Sequence, residues 1–364
     1  MITRRPGWRP PHCPNPNCKY HNHISPSWRY KRKGYYLRQC APHCIQRYTC
    51  LHCKRTFSTQ TFSTTYWLKR PKLLARIFSM VVGCMGNRQM ARALGCAHSS
   101  VTSQISRLGR HSLLFQARDL ERLCLQEIVI DGFESFEWSQ YFPFHHNVAV
   151  DPTTGFFAFH TDSPLRRKGR MTSHQKRRRS QLEESLPRAE PKAVETGIRE
   201  LLEVVTKGTT SMRIRSDDHR AYPRAMRALS CDIEHHITSS KERRDARNPL
   251  WEVNRLDLMI RHSTAAHKRE TIAWAKRRQV SAEKLSIFQV WYNYVKRRWE
   301  KGGSESAAML HGLAPRMLRI SDILGGRLFR TRVELPERWA QYYNREIVTP
   351  ALGVNRVHTL TYAY

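Results

Sequence analysis

Four cysteines in two close pairs constrain this chain more than any other feature. Cys13 and Cys18 enclose Pro-Asn-Pro-Asn, and Cys50 and Cys53 enclose Leu-His. A cysteine pair on a tight turn offers two thiolates to one ion, and two such pairs complete a tetrahedral site. Residues 28–37 alternate aromatic with basic side chains and read as strand. Residues 47–50 and 54–57 read as the arms of a hairpin carrying the second pair. The spacing predicts a zinc ribbon over residues 1–66, with Cys13, Cys18, Cys50 and Cys53 holding a structural Zn²⁺ that folds a segment too short to build a core. Cys40 and Cys44 leave three readings: replacement of a ligand, a second ion shared with His43, or small packing residues, which is favoured. The N-terminus lacks the apolar stretch of a secretory leader, which predicts a reducing, cytoplasmic setting and free thiols rather than disulfides.

Charge narrows the partners. Lys and Arg number 63 against 30 Asp and Glu, a formal net charge of +33. Such a surplus repels itself unless a polyanion neutralises it, and nucleic acid gains from releasing its condensed counterions. No apolar run approaches the roughly 18–20 residues of a spanning helix, so no membrane partner is expected. Arg29, Tyr30, Lys31, Arg32, Lys33, Tyr35 and Tyr36 suit a phosphate backbone.

From Arg70 the text turns helical. Leu73, Leu74, Ile77, Phe78, Val81 and Val82 recur at helix spacing. A short helix over residues 87–95 ends at Gly95, and Ser99 or Ser100 is placed to cap a second helix over residues 101–110. Helix, glycine turn and capped helix form the helix-turn-helix pattern, predicted within residues 67–125. Its second helix would enter the major groove, with Ser100, Thr102, Ser103, Gln104, Ser106, Arg107 and Arg110 facing DNA while Val101, Ile105 and Leu108 face the core.

After Leu125 strands appear. Residues 127–131 form an apolar strand ending in Asp131. Residues 147–151 and 156–159 form a hairpin, followed by a helix near residues 191–207. A strand over residues 212–216 ends in Asp217-Asp218, a short helix covers residues 219–229, and residues 231–235 make a fifth strand. Asn248-Pro249 opens a long helix, with Asn as cap and Pro in the first turn. Strands one and four are predicted neighbours, so Asp131 and Asp217 converge and can hold a pair of divalent cations suited to phosphoryl transfer. Glu252 and Asn254 lie about 200° apart around the helix axis and cannot share a face. Asn254 falls on a polar stripe with Asp257, Arg261 and Lys268. It is the favoured third member, with Glu252 and Asp257 as alternatives; Arg261 and Lys268 are candidate phosphate contacts. Asp218 is read as facing away, and His219 as an outer contact.

Taken in order, Arg47-Tyr-Thr-Cys-Leu-His-Cys-Lys-Arg-Thr-Phe57, Val129-Ile-Asp-Gly-Phe133, Arg215-Ser-Asp-Asp-His219 and Val253-Asn-Arg-Leu-Asp257 through Arg261 resemble the bacterial insertion-sequence transposases. These carry a zinc ribbon before a ribonuclease-H-like Asp-Asp-Glu or Asp-Asp-Asn core. The resemblance spans most of residues 13–300. It implies a multidomain α/β protein, with a mixed sheet and flanking helices over residues 126–300. It also implies Mg²⁺ or Mn²⁺ at Asp131 and Asp217, and double-stranded DNA as partner at both element ends and target. Strand cleavage and transfer by a bacterial, nucleoid-associated homo-oligomer would follow. The alternative is an inactive descendant kept as a DNA-binding regulator.

Residues 166–179 hold eight Lys or Arg and read as a loop that orders on DNA. Residues 268–278 are expected to continue the catalytic helix, and residues 284–299 to form an amphipathic helix. Residues 301–364, with short helices near 304–311 and 336–343, are an extension to which the sequence assigns no role.

Overall fold

The computed structural model describes residues 8–269 and 271–353. An N-terminal antiparallel sheet comprises β1 (Tyr30–Leu37), β2 (Cys44–Cys50) and β3 (Thr56–Ser58), in that spatial order. Only the β2–β3 side has an apolar lining: Tyr48 and Phe57 stack at 5.6 Å between ring centres, while β1 is exposed over nearly its whole length.

Three helices follow: α1 (Leu73–Val82), α2 (Asn87–Ala93) and α3 (His98–Leu120). Gly95, at φ +54°, makes the turn between α2 and α3, a backbone state that a side chain would strain. The helix after this turn differs from expectation at both ends. It begins at His98, with Ala97 as N-cap and no side-chain cap from Ser99 or Ser100, and runs for 23 residues. It continues because residues 111–117 are all buried, so tertiary packing extends what local signals would stop.

The second sheet has five strands in the order β6-β5-β4-β7-β8. They are β4 (Glu127–Phe136), β5 (Pro143–Val150), β6 (Phe157–Pro164), β7 (Ser211–Asp217) and β8 (Asp232–Thr238). β4, β5 and β6 meander antiparallel, whereas β4, β7 and β8 run parallel. Asp131 therefore lies inside β4, not at its end. The hairpin with β5 carries the strand to Phe136, while the ladder to β7 stops at Val129. α4 (Ser173–Ser185), α5 (Ala193–Val205) and α6 (Ala221–Met226) connect the strands. α4 takes up half of the basic stretch expected as a loop; Thr172 and Gln175 cap it reciprocally, with each side chain bonding the other's backbone N–H.

α7 (Trp251–Ser263) covers one sheet face: Leu250, Val253, Leu256 and Ile260 pack with Val129, Phe133, Val148, Val150 and Phe157. The Asn248 side chain accepts from the Leu250 N–H at 2.8 Å, just ahead of the helix. α7 does not continue into residues 268–278; Thr264 ends it, its hydroxyl donating to the Ile260 carbonyl at 2.6 Å. α8 (Arg278–Val290), prolonged by one π turn (Trp291–Val295), is not amphipathic but buried on every side from Ser281 to Val290. Its polar residues find partners inside. Ser281 bonds His146 at 2.8 Å and His267 at 2.9 Å, Glu283 accepts from Ser106 at 3.0 Å, and Gln289 donates to the Phe157 carbonyl at 2.9 Å. Buried polar groups require such partners.

The last elements are α9 (Ala307–Leu310), α10 (Ile320–Ile323) and α11 (Glu337–Asn344). Ala307, Ala308, Leu313, Trp339 and Tyr342 enter the same apolar cluster as α1–α3, α5 and α6, so this segment belongs to the main core and is not an appendage. Among the described residues no helix is long and apolar enough to cross a membrane.

Candidate metal centres

The four cysteines meet. Their sulfurs lie within 4.8 Å of one another, and no disulfide joins them. Two backbone turns aim them: the Cys18 N–H donates to the Asn15 carbonyl and the Cys50 N–H to the Arg55 carbonyl, both at 3.0 Å. The Trp28 indole donates to Cys50 Sγ at 3.3 Å. Burial pushes the Cys13 and Cys18 thiols up. Burial also opposes ionisation of Cys53, yet hydrogen bonds from the Asn15 side chain and the Arg55 backbone bring it down to about 7. Four converging sulfurs of which one ionises readily suit a metal such as zinc, since a bound cation removes the cost of the remaining thiolates. Cys40 and Cys44 stand outside the group; Cys40 accepts from the Arg38 guanidinium.

The carboxylates are assembled by topology instead. The parallel ladder pairs Val129 with Arg215. Two residues further along each strand, Asp131 and Asp217 stand level, and the two-residue period puts both on the side that α7 covers. The Gly132 N–H donates to Asp131 Oδ1 at 2.7 Å and the His219 N–H to Asp217 Oδ1 at 3.0 Å. α7 brings Asp257 into the same field. Burial raises Asp257 to about 8; Asp131 adds to the rise, and Arg261, Arg244 and Arg269 oppose it. Burial likewise lifts Asp131 to about 6, with Gly132 opposing and Asp217 adding. Asp257 Oδ1 is buried and has no hydrogen-bond partner, which is costly for a carboxylate. This trio is looser than the cysteine group, which is the one set among the described residues with at least three such ligand atoms mutually within 4.8 Å.

The other acids of this region go elsewhere. Asn254 is half-buried on α7, one turn before Asp257. Glu252 contacts Arg298 at 2.7 Å and Arg255 at 3.9 Å, on the side of the helix where Arg255 reaches the Tyr292 hydroxyl. Asp218 accepts from the Ser240 N–H and hydroxyl at 3.3 Å, away from Asp217. Arg261 is half-buried against the Phe133 ring, 5.4 Å from its centre, whereas Lys268 is exposed. Beside Asp217 a depression of about 230 Å³ is lined by Asp218, His219, Arg220, Arg224 and Arg227.

Sequence reasoning passed over two neighbours. Tyr222 on α6 is buried, and burial together with Asp131, Asp217 and Asp257 pushes its hydroxyl well above the usual tyrosine range. Arg244 lies in the exposed loop before α7 and acts on both Asp131 and Asp257. The residue spacing alone carried no signal for either.

On α3, Ser103 is exposed and Ser100 and Thr102 are half-buried, the Thr102 hydroxyl bonding the His98 carbonyl at 3.1 Å. Gln104 and Ser106 are buried, each 4% exposed. Arg107 and Arg110 point inward, bonding the Thr64 and Ser106 carbonyls. The surface this helix can offer is thus confined to its first two turns.

No family model and no curated protein matches the chain. Among solved structures, one from the simian T-cell lymphotropic virus intasome in complex with PP2A regulatory subunit B56 gamma aligns at 15% identity. The alignment covers 68% of this chain and 74% of that one, with a TM-score of 0.23, a likeness too loose to carry an argument.

Proposed function

We propose that this chain is a DNA transposase, in which a zinc ribbon and a helix-turn-helix bind element ends and a ribonuclease-H-like sheet cuts and joins strands. One observation carries the reading. Asp131 and Asp217 stand level on adjacent parallel strands, and α7 lays Asp257 over them with a buried oxygen that lacks any hydrogen-bond partner. Asp131 and Asp257 are raised because carboxylates face each other at a buried point without a cation. Their donor set fits Mg²⁺ or Mn²⁺, hard ions that take oxygen ligands. A divalent pair held there would supply an activated attacking oxygen and a stabilised leaving oxygen for in-line displacement at phosphorus. Asp257 replaces Asn254 as the favoured third ligand. Asn254, one turn away, lies within reach of the same metals' outer contacts.

The chain's own groups do the rest. Arg244 and Arg261 face the carboxylates and would take the scissile phosphate's negative oxygens, since a guanidinium matches phosphate in a fork geometry. Arg220, Arg224 and Arg227 would hold the backbone beside Asp217. Tyr222 stays protonated and is a donor throughout. For DNA search, the exposed β1 residues Lys31, Arg32, Lys33, Tyr35 and Tyr36 would track phosphates. Ser100, Thr102 and Ser103, near the start of α3, would meet the major groove. Joining two ends calls for more than one copy, so the active form is a homo-oligomer.

The second reading is a DNA-binding regulator without chemistry; the loose spacing of the carboxylates favours it. The test is nicking and strand transfer by purified protein on DNA carrying the gene's own flanks, with Mg²⁺ or Mn²⁺. Products lost in Asp131→Ala, Asp217→Ala and Asp257→Ala support the transposase. Salt-sensitive binding without products under either metal leaves the regulator.

A further inference from the structure

Away from the carboxylates, the α3 arginines open onto a cavity of about 420 Å³. Its walls come from the stretch after β3, from α3, from the segment after α10 and from α11, none of which carries Asp131, Asp217 or Asp257. Arg107, Arg110 and Arg327 all line it, and no carboxylate does. Arg107 donates to the Thr64 carbonyl at 3.1 Å, Arg110 to the Ser106 carbonyl at 3.4 Å and Arg327 to the Thr61 carbonyl at 3.3 Å. Carbonyls satisfy N–H groups but leave the charges standing. The acid acting on Arg110 is Glu283, which Arg345 also contacts at 3.3 Å. Burial and the mutual repulsion of Arg110 and Arg327 lower Arg107 to about 10. Gathering half-buried guanidiniums around one space is unfavourable unless an anion joins them.

The rest of the lining is aromatic and aliphatic. Arg327 lies 4.7 Å from the centre of the Tyr66 ring and Arg110 lies 5.8 Å from that of Tyr343. Tyr66 and Trp67 meet edge to face at 5.8 Å. Trp67 is 67% exposed at the rim and sits at φ +61°, a backbone state that costs a non-glycine residue about 1–3 kcal/mol. A large indole held outward in a strained conformation is a surface for a flat ring to stack on.

We propose that this cavity binds a nucleoside phosphate, with the phosphate on Arg107, Arg110 and Arg327 and the base against Tyr66, Trp67 and Tyr343. The unit is either a free nucleotide or an unpaired nucleotide at the end of a DNA strand; both present the same chemistry. A volume of this size is in the range of small-molecule sites. The site needs no catalytic metal, so it stands or falls separately from cleavage.

The test uses full-length, zinc-loaded protein without Mg²⁺, titrated by calorimetry and tryptophan fluorescence with dAMP, deoxyadenosine and inorganic phosphate. The expected order puts dAMP roughly tenfold or more ahead of either part alone. Arg107→Gln and Arg327→Gln each weaken dAMP roughly tenfold or more. Trp67→Ala, at an exposed position that leaves the fold intact, weakens dAMP roughly tenfold and leaves inorganic phosphate unchanged. If the arginine variants fail to fold, Trp67→Ala decides alone. A dAMP affinity no better than that of phosphate, or one indifferent to Trp67→Ala, overturns the proposal. Competition then separates the sources. Displacement of dAMP by a duplex with a short single-stranded overhang, but not by a blunt duplex, assigns the site to a strand end. Displacement by neither assigns it to free nucleotide, and equal displacement by both overturns the role of the base.

Discussion

The cysteine quartet and the carboxylate trio are both collections of ligand atoms without a cation, yet they are built in opposite ways. The quartet is local: two turns place two sulfurs each, and a three-stranded sheet brings the pairs together with all four within 4.8 Å. The trio is global. Asp131, Asp217 and Asp257 come from two strands and a helix, and their assembly needs the whole sheet and α7. The quartet substitutes for a core in a segment that has little of one. The trio sits in a core that folds without it, which leaves it free to be loose, protonated and adjustable.

Chelation separates the two most sharply. Removing zinc should unfold the N-terminal module, because structural zinc contributes about 10–16 kcal/mol in small zinc domains. The five-stranded sheet should stay folded, as amide exchange resolved along the chain would read. Loss of protection in β4 or β7 together with β2 would break the distinction. Glu252→Ala strands the nearly buried Arg298 guanidinium and should cost about 3–5 kcal/mol of stability, read by denaturant unfolding. A neutral outcome would return Glu252 to the candidates for the metal site. Asp257→Ala should instead keep or raise stability while lowering cleavage by more than about 100-fold, exceeding the loss typical of outer metal contacts.

The pH dependence of the metal-free protein tests the trio again. Asp131 and Asp257 titrate in the fold at about 6 and about 8, above their unfolded values near 3.9. Their protonated forms therefore favour the folded state. This contribution is complete below about pH 4 and is lost as pH rises through 6 and 8. The melting temperature should fall by a few degrees across that window, and Mg²⁺ should flatten the slope. A slope of the opposite sign would mean these carboxylates are ionised in the apo fold. The smallest effect is expected from Asn254→Ala, less than about tenfold in cleavage. A loss equal to that of Asp257→Ala would restore Asn254 as a direct ligand.

The sequence alone determined the local parts. Cysteine spacing announced the quartet, apolar periodicity located α1 and α5, Gly95 marked the turn before α3, and the strands around Asp131 and Asp217 were legible with their order. Each of these rests on neighbours within a few residues, where turn geometry and side-chain period act directly. Tertiary structure decided what depends on where an element sits. How far α7 slides along the sheet selects Asp257 over Asn254, a shift of one turn, about 5.4 Å, that periodicity leaves open. The polar residues of α8 suggested an exposed face, but His146, Ser106 and the β6 backbone supply partners that bury them. The same holds for α3. Gly109 lets it approach α8 so closely that an added Cβ would lie 2.9 Å from Glu283 Cα, and that contact turns Gln104, Arg107 and Arg110 inward. A helical wheel shows which residues share a face; only the packed neighbours fix whether that face meets solvent, DNA or another helix.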